Sequence, residues 1–108
     1  MYRTGFRMRL KPGNEAIYKE KHDQIWPELV EVLKGQGVLR YAIYLSGFDL
    51  FAHLESTVPQ TPGESVDPVV RRWWDMMAEF METNPDNSPK TWPLEEMFWL
   101  DAAEDARG

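Results

Sequence analysis

The chain contains no cysteine and only two histidines among its 108 residues. Without cysteine it has no disulfide framework, no thiolate nucleophile and no cysteine-ligated metal. Two histidines are too few for an all-histidine metal site. We therefore expect neither a cysteine-based nor an all-histidine metal site.

Basic residues are also scarce: 12 Lys and Arg stand against 18 Asp and Glu, which gives a formal charge of −6. Binding to a phosphate backbone needs clustered cations, so a nucleic-acid partner is not expected. No apolar run is long enough to cross a bilayer, and the opening MYRTGFRMRL alternates arginines with other residues instead of forming the apolar core of a signal peptide. We expect a cytoplasmic protein with no membrane partner.

Hydrophobic periodicity predicts one α+β domain. Alternation with a period of two indicates strands, whereas apolar residues spaced three and four apart behind Asn14 or Asp67 indicate helices. A break at Trp26-Pro27 divides the first helical region. The predicted order is strand (2–10), helix (15–34), strand (38–45), strand (50–55), helix (68–82) and strand (92–100). Residues 1–100 are predicted to be a single domain, and the acidic residues 101–108 a disordered tail.

This order predicts a ferredoxin-like, four-stranded antiparallel sheet with both helical regions on one face. Leu39, Tyr41 and Ile43 are assigned to the helix-facing side of their strand, and Val38 and Tyr44 to the other side. The second face would still be apolar, beyond what monomers usually expose. We therefore predict a homodimer packed sheet against sheet.

The first helical region carries a candidate acid/base site. Tyr18 and His22 are one helical turn apart and so share a face, which points at the sheet. Imidazole titrates closest to neutrality, and a neighbouring phenol can orient it or bind a ligand. The alternative is a boundary pair whose polar tips merely reach water. These residues alone leave both interpretations open.

Three more aromatic residues are candidates for ligand binding. Trp73 and Trp74 lie side by side on the second helical region, and Tyr41 lies on the strand face turned toward the helices. Two indoles bring two N–H donors that need partners when buried, and a polyhydroxylated ligand would satisfy them. The alternative is an ordinary core stripe. His53 falls on the opposite sheet face and is expected at the dimer interface.

Five blocks of the sequence resemble the L-rhamnose mutarotases, which interconvert the α and β anomers of rhamnose. They stand in the family's order and span nearly the whole chain before the tail: Tyr18 to Leu29 (YKEKHDQIWPEL), Tyr41 to Leu45 (YAIYL), Arg72 to Trp74 with Met77, Asn84 to Pro89 (NPDNSP), and Phe98 to Leu100. Residues 55–67 depart from the family pattern, being shorter and richer in Pro and Gly. We expect that departure to alter one wall of the pocket and to bear on which deoxyhexose is preferred.

The resemblance implies a dimeric α/β barrel and a role for each candidate residue. His22 is implied to be the proton donor, and the substrate-binding positions are Tyr18, Tyr41, Trp73 and Trp74. The corresponding hypothesis is that protonated His22 donates to the ring oxygen while Tyr18 or a water takes the C1 proton. This reaction is expected to need no metal and no cofactor. A carboxylate at Glu20 or Asp23 is expected to favour the protonated imidazole, so that activity falls as pH rises.

Two other functions remain open at this point. Dimeric ferredoxin-like barrels also bind haem or quinols, and His22 in an aromatic pocket could ligate iron. A sugar-binding module without catalysis would use the same aromatic residues.

Overall fold

The fold is described from a computed structural model, which describes residues 1–105. The strands are β1 (Tyr2–Arg9), β2 (Val38–Ser46), β3 (Asp49–Ser56) and β4 (Trp92–Leu94), and the helices are α1 (Glu15–Asp23), α2 (Pro27–Gly35), α3 (Pro68–Met77) and α4 (Ala102–Asp105). Within the described residues, no helix has the length and apolar content to span a membrane. The short α4 lies in the segment predicted to be a disordered tail, whose last residues, 106–108, are outside the described part.

The four strands form one antiparallel sheet in the order β2-β3-β1-β4. The α+β class and the four-stranded antiparallel sheet are confirmed. Alternation places one face of β1 and β3 in the core, where it meets residues of α1, α2 and α3. The core side chains from the sheet are Phe6, Met8, Leu10, Leu50 and Ala52, and those from the helices are Tyr18, Leu29, Val70, Trp73 and Met77.

The second helical region is shorter than predicted. α3 ends at Met77 instead of continuing to residue 82. The residues that follow pair with the end of β1: the backbone N–H of Lys11 donates to the carbonyl of Phe80 at 3.0 Å, and that of Glu82 donates to the carbonyl of Arg9 at 2.9 Å. The helical periodicity continues through Met81. The backbone of residues 80–82 nevertheless leaves the helix and forms an antiparallel bridge with residues 9–11 at the end of β1.

The predicted last strand, 92–100, is also wrong in extent. β4 pairs with β1 only over Trp92–Leu94, opposite Gly5–Arg7. Beyond this ladder the chain is held by side chains instead: a guanidinium N–H of Arg3 donates to Glu96 at 2.8 Å, and the ring of Trp99 stacks on His53 with 6.5 Å between centroids. Alternating apolar residues indicate an extended chain, whereas a strand also needs a paired backbone edge.

A bulge in β2 changes one face assignment. The register shifts between Val38 and Arg40, so Leu39 is the extra residue and is exposed. Val38 consequently lines the same cavity as Tyr41 and Ile43. The prediction that placed Leu39 with the helix-facing residues and Val38 on the other side is wrong, because alternation was counted without the bulge. Tyr41 and Ile43 lie where they were predicted.

Candidate active site

A cavity of about 1040 Å³ lies between the helices and the sheet. This is ample for a small-molecule ligand. All five residues singled out in the sequence line it: Tyr18, His22, Tyr41, Trp73 and Trp74. The fold therefore brings residues from two helices and one strand to a single chamber.

Helix α1 contributes Tyr18 and His22 to the site. The ring of His22 stacks on that of Tyr18, with 4.2 Å between centroids and 28° between planes, as expected for side chains four residues apart on a helix. Nδ1 of His22 lies 3.0 Å from the backbone carbonyl oxygen of Tyr18. Since a carbonyl only accepts hydrogen bonds, this contact assigns the proton of a neutral imidazole to Nδ1. Nε2 is then left without a proton and available to a ligand.

Burial has the largest effect on the pKa of His22. Desolvation lowers the pKa of the imidazole below its ordinary value, and it outweighs the Tyr18 carbonyl and the Asp23 carboxylate, both of which raise it. The expectation that a neighbouring carboxylate would hold the ring protonated is thus wrong in its net direction. Asp23 is also engaged elsewhere, since it accepts hydrogen bonds from the Lys19 ammonium at 2.9 and 3.1 Å. The lowered pKa favours the neutral imidazole near pH 7.

Two phenols complete the polar part of the cavity. Burial raises the pKa of both Tyr18 and Tyr41 above the ordinary value, and for Tyr18 the proximity of Tyr41 adds to the rise. Tyr41 retains 42% of its surface, but it lines the concave cavity and packs edge-on against Phe6 with 6.3 Å between centroids. Both hydroxyls therefore keep their protons at neutral pH and can donate to a ligand.

The two adjacent tryptophans have different surroundings. Trp73 is buried, and it meets His22 and Trp26 edge-on at centroid distances of 5.3 and 5.1 Å. Trp74 is only partly buried, and the guanidinium carbon of Arg71 lies over its ring, 5.4 Å from the centroid. Trp73 is thus a core residue that also walls the site, whereas Trp74 presents accessible ring surface.

Trp26 was missed as a contributor to the site. It precedes Pro27 with an extended backbone (φ −61°, ψ 129°) and is the N-cap residue of α2. The break aims its indole at Trp73 and so supports the wall next to His22. The Trp-Pro pair in the sequence marks the break, but it does not show which residue the indole meets.

The opposite wall of the cavity comes from the connection between β3 and α3. Gln60 to Ser65 line it, together with Pro89. Gly63 has φ +82°, and a Cβ there would lie 3.3 Å from the carbonyl oxygen of Pro89. Part of the connection 55–67, which was expected from the sequence to bear on the pocket, therefore lines the cavity.

Comparison with known proteins gives consistent matches along the chain. A family model described as L-rhamnose mutarotase matches residues 3–100. The L-rhamnose mutarotase of Phocaeicola vulgatus is 44% identical over 94% of this chain and 100% of its own length, and that of Acidiphilium cryptum is 45% identical over 93% and 99%. The crystal structure of the L-rhamnose mutarotase from Formosa agariphila superposes with a TM-score of 0.85 at 41% identity, covering 94% of this chain and 100% of that one.

Proposed function

Because the chain belongs to the L-rhamnose mutarotase family, we propose that it interconverts the α and β anomers of L-rhamnose or a closely similar deoxyhexose. The family membership inferred from the five sequence blocks is confirmed. The observation that carries the mechanism is the position of His22, stacked on Tyr18 and edge-on to Trp73 in the wall of the cavity.

Mutarotation opens and recloses a hemiacetal. The C1 hydroxyl loses a proton, the ring oxygen gains one, and the bond between C1 and the ring oxygen breaks to give an open aldehyde. Rotation about the C1–C2 bond then lets the ring oxygen attack the other face of C1, with both proton transfers reversed. The reaction needs one group that accepts a proton and one that donates a proton on the two sides of the same bond.

His22 is suited to take the C1 proton. Its Nδ1 proton is held by the Tyr18 carbonyl, and its lowered pKa favours the neutral ring, so Nε2 presents a lone pair to the sugar. The imidazolium formed on opening then returns its proton to the carbonyl oxygen when the ring recloses. In this scheme His22 is a base in the opening step and the proton donor in the closing step.

A phenol supplies the second proton transfer. Tyr18 and Tyr41 line the same cavity and remain protonated, because burial raises the pKa of each. A hydroxyl next to the ring oxygen donates as the bond to C1 weakens and recovers the proton on closure. This assignment differs from the role implied by the resemblance, in which His22 starts protonated.

The required acceleration is modest. Sugar anomers interconvert unaided in water, and one well-placed general acid or base typically contributes about 10²–10⁴-fold, or about 3–5 kcal/mol of the barrier. A single His with a phenol opposite can supply a rate of that order. Trp74 and Tyr41 would contribute by holding the pyranose, with ring faces against C–H groups and the polar N–H and O–H groups toward hydroxyls.

Exposed apolar side chains on β2 and after β4 support a homodimer. Met97 and Phe98, in the chain that follows β4, are 84% and 79% exposed, and Tyr44 of β2 and Trp99 are also exposed. Such a run of large apolar side chains exceeds the scattered ones of an ordinary monomer surface. We propose that a second copy covers them and completes the dimeric α/β barrel, with His53 under Trp99 at the interface. Sedimentation at micromolar concentration should give a dimer, and a monomer there would refute this assembly.

Saturation-transfer NMR tests the activity directly. Irradiating the H1 resonance of one anomer should decrease that of the other, at a rate that increases in proportion to protein concentration. L-rhamnose, L-fucose and D-glucose would be compared under identical conditions. Binding without added exchange would indicate a sugar-binding module, and a Soret band on haemin titration would favour the haem alternative.

A further inference from the structure

The segment Asn84 to Pro89 belongs to the sequence blocks that mark the family, yet the proposed mechanism does not use it. It forms a loop closed by its own hydrogen bonds. The backbone N–H of Asn84 donates to the carbonyl of Ser88 at 2.8 Å, and the N–H and hydroxyl of Ser88 donate to Oδ1 of Asp86 at 3.0 and 2.5 Å. Ser88 is buried, so the carboxylate of Asp86 has a fixed orientation.

The other oxygens of Asp86 hold an arginine of α3. Nη1 of Arg71 donates to Oδ2 of Asp86 at 3.4 Å, and Nη2 donates to its backbone carbonyl at 3.1 Å. The same guanidinium lies over the ring of Trp74, 5.4 Å from the centroid. A second link from the loop to this helix comes from Asn87, which donates to Asp75 at 3.1 Å. A continuous set of contacts therefore runs from the loop to an indole of the cavity.

We propose that Arg71 and Asp86 are positioning residues for Trp74, fixing its indole so that one face is occupied by the guanidinium and the other is presented to the sugar. The inference rests on the proposed function in one respect, namely that Trp74 contacts the substrate.

The chemistry of arginine suits this task. A planar guanidinium can stack on an indole and bind two acceptors at once, and each contact limits the freedom of the other. An indole held in place in the free protein loses less conformational entropy when a ligand binds. The ring of His22 packs edge-on against Trp73, and among the described residues no ring pairing joins it to Trp74. The effect should therefore fall on affinity and KM and should leave kcat largely unchanged.

The size of the effect follows from the strength of an exposed cation–π contact. Its loss should raise KM about two- to fivefold, with kcat changing by less than about twofold. Arg71→Lys should behave like Arg71→Ala, because an ammonium cannot stack on the ring while bonding both acceptors of Asp86. Asp86→Ala should raise KM in the same direction, since it removes the carboxylate that accepts from Nη1 of Arg71 and from Ser88.

A double-mutant cycle tests whether Arg71 acts through Trp74. KM and kcat for sugar exchange would be measured by NMR, and Kd by indole fluorescence, for Arg71→Ala, Trp74→Leu and the double variant. The expected result is that Arg71→Ala raises KM in the parent protein but has no further effect once Trp74 is Leu. Arg72→Ala is the matched control: it is the next residue of the same helix and pairs with Glu28 at 3.5 Å, and its KM should be unchanged.

Several outcomes would overturn the inference. These are additive effects in the double variant, a normal KM for Arg71→Lys, an equal rise in KM for Arg72→Ala, or a Trp74→Leu variant with parental affinity. Circular dichroism and urea unfolding would verify that each variant is folded, and Trp74→Phe would replace Trp74→Leu in the cycle if the leucine variant is not. Failure of the proposed function looks different, because the parent protein itself would then show no added anomer exchange, while the fluorescence Kd cycle could still be completed.

Discussion

The pH dependence of anomer exchange gives the sharpest test of the role assigned to His22. The perturbation is pH alone, with the same protein and the same sugar throughout. Burial lowers the pKa of the imidazole below its ordinary value of 6.5. A base at Nε2 is active in the neutral form, so kcat/KM should decrease as pH falls through that lowered pKa and should reach a plateau above it.

The magnitude follows from the titration curve. One pH unit above a pKa about 90% of a group is already deprotonated, so kcat/KM should change by no more than about 10% between pH 7.5 and 8.5. Below the pKa it should fall about tenfold per pH unit. A ring that must start protonated predicts the opposite sign, namely a fall of about tenfold between pH 7.5 and 8.5. The two roles therefore differ by about an order of magnitude in a range where the sugar is stable.

Saturation-transfer NMR from pH 4.5 to 9, with the protein-free exchange rate subtracted at each pH, measures this profile. The pKa of His22 itself comes from its imidazole resonances, and circular dichroism at each pH verifies that the protein is folded. His53→Asn is the matched control, because it removes the only other histidine, on the opposite face of the sheet, and should leave the profile unchanged. A rate that increases on acidification through the measured pKa of His22 would refute the assignment of a base.

Three further variants address catalysis and stability. His22→Ala should lower the exchange rate about 10²–10⁴-fold while the protein stays folded, and an unchanged rate in the same NMR experiment would exclude this residue from the chemistry. Gly63→Ala should reduce the free energy of unfolding by about 1–2 kcal/mol in urea titration, because a side chain at φ +82° is strained and its Cβ approaches Pro89; equal stability would contradict this account. Met77→Ala, at a position only 2% exposed, should cost about 2–5 kcal/mol with an unchanged m value, and a loss under 1 kcal/mol would argue against its place in the core.

The fold could be predicted from the sequence where local pattern and tertiary pairing agree. Alternation in β1 is read correctly because Phe6 and Met8 meet the helices and the intervening arginines do not. It fails at the last strand, since apolar alternation through Trp99 carries no information on whether a backbone edge is available to pair. Alternation also fails at Leu39. A single extra residue in β2 changes the face of the sheet on which the preceding residue, Val38, lies.

The candidate site was predictable in its membership and not in its electrostatics. Spacing alone puts Tyr18 next to His22, and the strand and helix patterns suggest Tyr41 and the tryptophans; the resemblance adds a role for each. All of them line the cavity. The protonation state of His22 could not be inferred in this way. Asp23 lies next to it in the sequence, which suggested a raised pKa, whereas the helices and sheet that desolvate the ring come from the whole fold.

The hydrogen bond between Nδ1 of His22 and the carbonyl of Tyr18 affects which substitutions the protein can tolerate during evolution. The acceptor is main chain, present whatever amino acid occupies position 18, so the imidazole is oriented by helical geometry and not by a partner that a point mutation can delete. In the proposed mechanism, neighbouring residues could then be exchanged to suit another sugar while Nε2 of His22 keeps its direction. A distortion of that helical turn, such as a proline within it, would remove this hydrogen bond.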